Sequence, residues 1–284
     1  VGRTKMQDAG PRSLGQEVEA FDATLMEEID RLNQMAKLFQ EINMGATAIG
    51  TGINATPGYA ELVTRKLSDI MGMEFIKASN LIEATPDTGS YVIYSSALKR
   101  LAVKLSKISN DLRLLSSGPR CGFNEINLPS LQPGSSIMPG KVNPVVPEMV
   151  NEVCYKVIGN DLTVTFAAEA GQLQLNAMEP VIAEAILESI TYLTRAMDTL
   201  ATKFVDGITA NEDVCHNLVM NSIGLVTALN PYIGYKNSAM IAKEALKTGK
   251  GVYELVLEHN VLPKEKLDEI LDPENMIAPH PFGK

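Results

Sequence analysis

Apolar residues recur along this chain at alternating steps of three and four, the spacing that gathers them on one face of an α-helix. Leu14, Val18, Phe21, Leu25, Ile29 and Leu32 form the first stripe, with acidic and basic residues between them. It predicts a helix of about five turns. Tyr94, Leu98, Leu101, Leu105, Ile108, Leu112 and Leu115 form a second stripe, which reads as the seam of a bundle. A third helix is expected after Pro144, carrying Val146, Val150, Val153 and Val157, because proline suits the first helical turn. A fourth follows Pro180 through Ile182, Ile186, Ile190, Leu193, Met197, Leu200 and Phe204. Helices of about 25 residues exceed the usual globular length and need long parallel or antiparallel partners. The pattern therefore predicts an all-α fold, a long-helix bundle.

Breakers fall where such helices need connections: residues 50–58 (GTGINATPG), 118–122 (GPRCG) and 129–143 (PSLQPGSSIMPGKVN). Thr56 before Pro57 reads as an N-cap followed by a first-turn proline. After Gly207 the pattern shortens to segments of about ten residues, such as 239–247 and 252–259, set apart by Gly, Pro and Asn. The expected division is a bundle domain over 1–207 and a small helical C-terminal domain over 208–284. The sequence shows neither an internal repeat nor a low-complexity tract.

Composition narrows the picture. A chain of 284 residues with 45% hydrophobic residues can bury a sizeable core, and the absence of tryptophan with only 5% aromatics fits helix better than sheet. A net charge of -9 disfavours nucleic acid and anionic membrane as partners, since both are repelled on average. Cys121, Cys154 and Cys215 are odd in number and lack CxxC spacing, which points to neither a disulfide framework nor a zinc site and suits a reducing, cytoplasmic setting. No apolar run approaches the roughly 20 residues of a membrane span, and the N-terminus lacks the order of a signal peptide. His216, His259 and His280 stand outside any metal-site spacing and read as solvent-facing or capping residues. The 13 methionines sit mostly on the stripes, as core filler.

The chemistry concentrates at residues 134–144, GSSIMPGKVNP. Two serines, a lysine and an asparagine share a segment whose glycines let backbone amides approach a ligand closely. Such a set suits a dicarboxylate: Lys141 supplies charge, Asn143 a donor, and exposed amides stabilise developing negative charge. A solvated Ser/Gly/Pro connector is the default reading of that composition.

The string itself changes the balance. GSSIMPGKVNP is identified as the signature of the fumarase/aspartase superfamily, and the resemblance extends over nearly the whole chain through GRTKMQDA, LGQEVEAF, NMGATAIGTGINA, LRLLSSGPRCGFNEINLP and AGQLQLNAMEPV, in that order. NPVVPE at 143–148 and AEAGQLQLN at 168–176 lean towards the ammonia-lyases acting on aspartate; fumarase, or a catalytically silent oligomerisation module, are the alternatives. The resemblance implies an anti-elimination in which Ser135 is the base. It assigns Thr4, Ser136, Lys141 and Asn143 to substrate binding, and it implies no organic cofactor and no identifiable metal ligands. Fumarases carry a histidine after GRT, paired with a glutamate aligned with Glu148. Lys5 takes the histidine's place here, so a Lys5–Glu148 ion pair and a solvated lysine are both expected possibilities. The resemblance further implies a homotetramer with composite active sites and a third site segment upstream of Val1, making this chain the C-terminal two-thirds of its type.

Overall fold

A two-stranded antiparallel hairpin, β1 (Gly2–Thr4) with β2 (Gln7–Gly10), opens the structure, a computed structural model that describes residues 1–279. His280 lies outside the described residues. Lys5 and Met6 turn the hairpin at φ 53° and 63°. Positive values at both central positions give the chain reversal that matches strand twist, although Asn and Gly adopt them far more readily.

Helix α1 (Leu14–Ala36) begins with a reciprocal cap: Gln16 N–H donates to Ser13 Oγ at 3.0 Å, and Ser13 N–H donates to Gln16 Oε1 at 3.2 Å. Strand β3 (Glu41–Ile42), α2 (Tyr59–Met71) and β4 (Ile76–Lys77) follow, with β3 and β4 paired in parallel. The cap of α2 is Gly58 at φ 84°, not Thr56. Pro57 and Gly58 form a turn in which the Thr56 carbonyl accepts Tyr59 N–H at 3.1 Å, so the threonine contributes backbone rather than side chain.

The long helices α3 (Gly89–Leu115), α4 (Val145–Glu169) and α5 (Glu179–Lys203) cover the predicted stripes, and short β5 (Ile126–Asn127) lies between α3 and α4. The second half of the chain holds β6 (Thr209–Ala210), α6 (Glu212–Met220), α7 (Leu225–Thr248), α8 (Val252–Glu258), α9 (Lys264–Ile270) and α10 (Pro273–Met276). The expected segment at 239–247 is the end of α7, a helix interrupted at Gly234, whose φ of 74° leaves the helical region. Pro231 and Gly234 masked its length in the sequence. The fold is thus helical, with strands of two to four residues.

Two compact units result. One comprises Val1–Phe21, Leu115–Asn127 and Ile208–Lys284; the other comprises Asp22–Leu114 and Leu128–Gly207. This grouping is discontinuous, unlike the contiguous division expected from the sequence. Its cause is pairing, within the first unit, between segments far apart in the chain. There β5 joins β6 antiparallel, and Ser222 Oγ–H donates to Asp8 on the hairpin at 2.7 Å. That unit's core is formed by Leu225, Leu229, Ile241, Leu255 and Leu267, all essentially inaccessible.

In the second unit Leu98, Leu101, Leu105, Ile108 and Leu112 of α3 are buried, as are Val150, Cys154, Val157 and Val164 of α4. Burial pushes the Cys154 thiol up to about 11, which leaves it protonated and unreactive at neutral pH. Adjacent polar residues on α4 tie it to both neighbours. Asp161, 5% exposed, accepts from Ser95 at 2.9 Å and Lys99 at 2.5 Å on α3. Asn160 donates to Glu188 at 2.8 Å and Ser189 at 3.0 Å on α5. Glu28 on α1 is buried and flanked by Arg100 at 3.0 Å and Lys104 at 2.5 Å, and that carboxylate raises the Lys104 pKa. Among the described residues no helix is long and apolar enough to cross a membrane.

Hydrogen bonding from Asn160, then from Lys156, holds the Glu188 carboxyl below its ordinary pKa of 4.5. A depressed carboxylate stabilises the fold above its unfolded-state pKa, and the contribution is lost as pH falls through the folded value. Glu188→Gln is therefore expected to reduce the loss of thermal stability on acidification below about pH 4.5, read from melting temperatures across an acid series. An unchanged acid dependence would show that the α4–α5 contact contributes nothing to it.

Candidate active site

The loop at 134–144 belongs to the second unit and runs directly into α4. Pro144 is the N-cap residue of that helix, and its carbonyl accepts Glu148 N–H at 3.1 Å. Asn143 closes the loop by donating from Nδ2 to the Gly134 carbonyl at 2.8 Å. The same closure explains Gly134: a Cβ there would lie 1.8 Å from the Lys141 carbonyl oxygen, a separation no side chain tolerates. Gly140 has a φ of 82°, and Lys141 N–H returns to the Met138 carbonyl at 3.3 Å, which completes the far turn.

Ser135 sits just inside this closure, half-buried, and its Oγ accepts the Ile137 backbone N–H at 3.2 Å. An amide aimed at a hydroxyl oxygen favours the anionic form of that oxygen. Ser136 and Lys141 are exposed, and Asn143 is half-buried. One short segment thus presents an oxygen with an amide on it, a lysine and a carboxamide. Asn143 also spends one amide hydrogen on the loop itself, so it shapes the backbone as well as offering a second donor.

Glu148 lies one turn into α4 and faces Arg113 of α3 at 3.8 Å. Arg113 also donates to Asn151 Oδ1 at 3.1 Å, and Asn151 donates to Ser106 Oγ at 2.9 Å. Glu148 therefore has a cation within its own unit, supplied by a residue that sequence reasoning did not single out. Thr4 and Lys5 belong to the first unit, at the end of β1 and the start of the hairpin turn, and both are exposed. Beside them Arg3 binds Glu125, a 5% exposed carboxylate. Arg3 and Glu125 also went unassigned. Nothing in their immediate sequence marks them: Arg3 stands between Gly2 and Thr4, and Glu125 between Asn124 and Ile126.

Among the described residues no group of three or more His, Cys, Asp or Glu side chains is placed to hold a metal ion. His216 is exposed on α6. His259 caps α8 and bonds Glu244 at 2.8 Å.

Comparison with known proteins matches residues 1–159 to the family described as Lyase, and residues 225–278 to Fumarase C C-terminus. The chain is 59% identical over all its 284 residues to an aspartate ammonia-lyase of Helicobacter pylori, and spans 61% of that relative's length. Among solved structures it resembles a fumarate lyase:delta crystallin from Brucella melitensis bound to cobalt, at TM-score 0.94 and 57% identity, covering 98% of this chain and 60% of the other. A class II fumarase from Schistosoma mansoni aligns at TM-score 0.92 but 37% identity, covering 99% of this chain and 62% of that one. The chain thus spans about three fifths of the length of the proteins it matches.

Gly134→Ala is expected to force the Lys141 carbonyl away and open the loop while leaving the helices intact. Limited proteolysis should then cut between residues 134 and 144 in the variant well before the parent, at unchanged helical circular dichroism. Equal resistance would mean that the close approach does not hold the loop.

Proposed function

The chain belongs to the lyase family, and from that membership we propose that its protein eliminates ammonia from L-aspartate to give fumarate. The observation that carries the mechanism is the Ile137 N–H directed at Ser135 Oγ. Serine is a poor base unless its alkoxide is stabilised, and an amide on the oxygen supplies part of that stabilisation.

In the proposed reaction Ser135 removes a proton from the carbon next to one substrate carboxylate. The electron pair moves into that carboxylate to give a doubly charged aci-carboxylate. It then returns to form the carbon–carbon double bond as the carbon–nitrogen bond breaks, and ammonia leaves with the bonding pair. Lys141 and Asn143 bind substrate carboxylate, Lys141 as a point charge and Asn143 through its remaining amide hydrogen. Ser136 and Thr4 bind the substrate, and Lys5 and Glu148 stand as supporting residues. The reading takes neither metal nor organic cofactor. It is favoured over malate dehydration by the 59% identity to an aspartate ammonia-lyase against 37% to a fumarase.

The proposal extends to a homotetramer with sites shared between subunits. Tyr155, Ile158, Leu162 and Phe166 form an exposed apolar stripe on α4, opposite its buried face, and Val18 and Ile29 are exposed on α1. Apolar stripes of this length on a soluble chain mark contact surfaces. The cysteines are all unpaired thiols, which accords with a reducing cytoplasmic setting.

Ultraviolet detection of fumarate from L-aspartate, with L-malate in parallel, tests the reaction. Aspartate-dependent fumarate that disappears in Ser135→Ala, by a factor of at least about a thousand, with sedimentation unchanged, is the expected result. Fumarate from malate alone would make the protein a fumarase, silence with both would leave the family membership standing and assign this length of chain no activity by itself, and near-parental turnover in Ser135→Ala would remove that residue as base.

A further inference from the structure

We propose that Glu125, acting through Arg3, is a positioning residue that fixes the direction of Thr4, an inference that rests on the ammonia-lyase reading above. The hairpin carrying Thr4 has little to hold it. Its strands are three and four residues long, and its turn residues Lys5 and Met6 stand at positive φ, where residues with a Cβ are disfavoured. Isolated hairpins of this size do not persist in water.

Two tethers supply what the hairpin lacks, both on one cross-strand pair. Arg3 lies opposite Asp8 in the ladder. The Arg3 guanidinium binds the Glu125 carboxylate and stacks 4.0 Å from the centre of the Phe123 ring, while Asp8 accepts from Ser222 at 2.7 Å. Side chains alternate along a strand, so anchoring Arg3 on the inner face sends Thr4 to the outer one. Arg3 is partly buried and Thr4 exposed, as that placement requires of these two residues.

The anchor is itself rigid. Glu125 N–H donates to the Leu115 carbonyl at 2.9 Å, and its carbonyl accepts Asn211 N–H at 2.9 Å. Preceding it, Asn124 adopts φ 51°, a value asparagine tolerates, and Asn211 Nδ2 bonds the Asn124 carbonyl at 2.8 Å. The carboxylate is therefore presented from a backbone bonded at both polar groups. Arg3 meets it through Nη2 while Nη1 donates to the Val1 carbonyl at 3.1 Å, so one planar guanidinium holds a carboxylate and the chain's own backbone together.

The test is a double-mutant cycle on fumarate formation with hydrogen exchange on the same proteins. Glu125→Gln should lower kcat/KM for L-aspartate by about a hundredfold, the effect of misplacing a substrate contact by about an ångström. Thr4→Ala/Glu125→Gln should then fall no further than Thr4→Ala alone. Multiplying effects would overturn the proposal, because a merely structural role damages the enzyme whether or not Thr4 is present. Amides of residues 2–10 should exchange about tenfold faster in Glu125→Gln with the core of the same unit unchanged. Unchanged hairpin exchange would equally overturn it. Exchange needs no turnover, so a parent chain inactive on aspartate counts against the functional reading, while the hairpin still decides the positioning role. If Glu125→Gln loses its helical circular dichroism, Arg3→Gln replaces it in the cycle at the less buried end of the pair.

Discussion

Helix α4 carries apolar side chains around most of its circumference, and a helix of that kind is stable only when packed on more than one side. Asn160 and Asp161 settle how. Being adjacent, they point about 100° apart on the helix, one towards Glu188 and Ser189 of α5, the other towards Ser95 and Lys99 of α3. Buried polar groups need their partners, so sliding α4 by even one turn against either neighbour leaves a carboxylate or carboxamide unsatisfied. The N-terminal end of α4 is thereby located within its unit, and with it the loop at 134–144 and the pairing of Glu148 with Arg113. Precision in the loop begins about four turns away, in the middle of the helix.

Stabilisation of the bundle comes mainly from its apolar interior, and its polar groups contribute chiefly register. Leu105, Val150, Val157 and Leu193 are almost wholly inaccessible, each contributing about 1.5–3 kcal/mol relative to exposure. The outer face of α4 carries the same hydrophobicity in the open, where Phe166 is 65% exposed. A stripe at helical spacing thus reports that a face is apolar, and spacing alone does not say whether this chain covers it.

The helices were legible because their signal is periodic and long. Leu98 to Leu112 lie buried on α3 as their spacing required, and Pro144 and Pro180 stand at helix starts as their chemistry required. Relations between distant residues carry no such signal. Nothing local indicates that Ile126 pairs with Ala210, or that Asp8 accepts from Ser222, so the contiguous division at Gly207 missed how the N-terminal hairpin groups with the C-terminal helices. Thr56 misled for a different reason: the threonine–proline pair resembles a cap, but Gly58 at positive φ occupies the capping position. In the loop, Ser135, Lys141 and Asn143 were visible through a resemblance covering eleven consecutive residues, whereas Arg3, Arg113 and Glu125 become conspicuous only once their partners are placed.

The closure of the loop by Asn143 and Gly134 bears on affinity through chain entropy. A flexible segment that orders around a small ligand subtracts its lost freedom from the binding free energy. Here the ends are joined by a hydrogen bond and a close backbone approach within the protein itself, and the intervening residues span a short ring whose closure is completed during folding. On the proposed reading, a ligand meeting Ser135 and Lys141 finds much of their disorder already removed. A small, strongly hydrated dianion makes few apolar contacts to offset an ordering cost, and for such a ligand a pre-closed ring is worth more than an additional hydrogen bond from a mobile one.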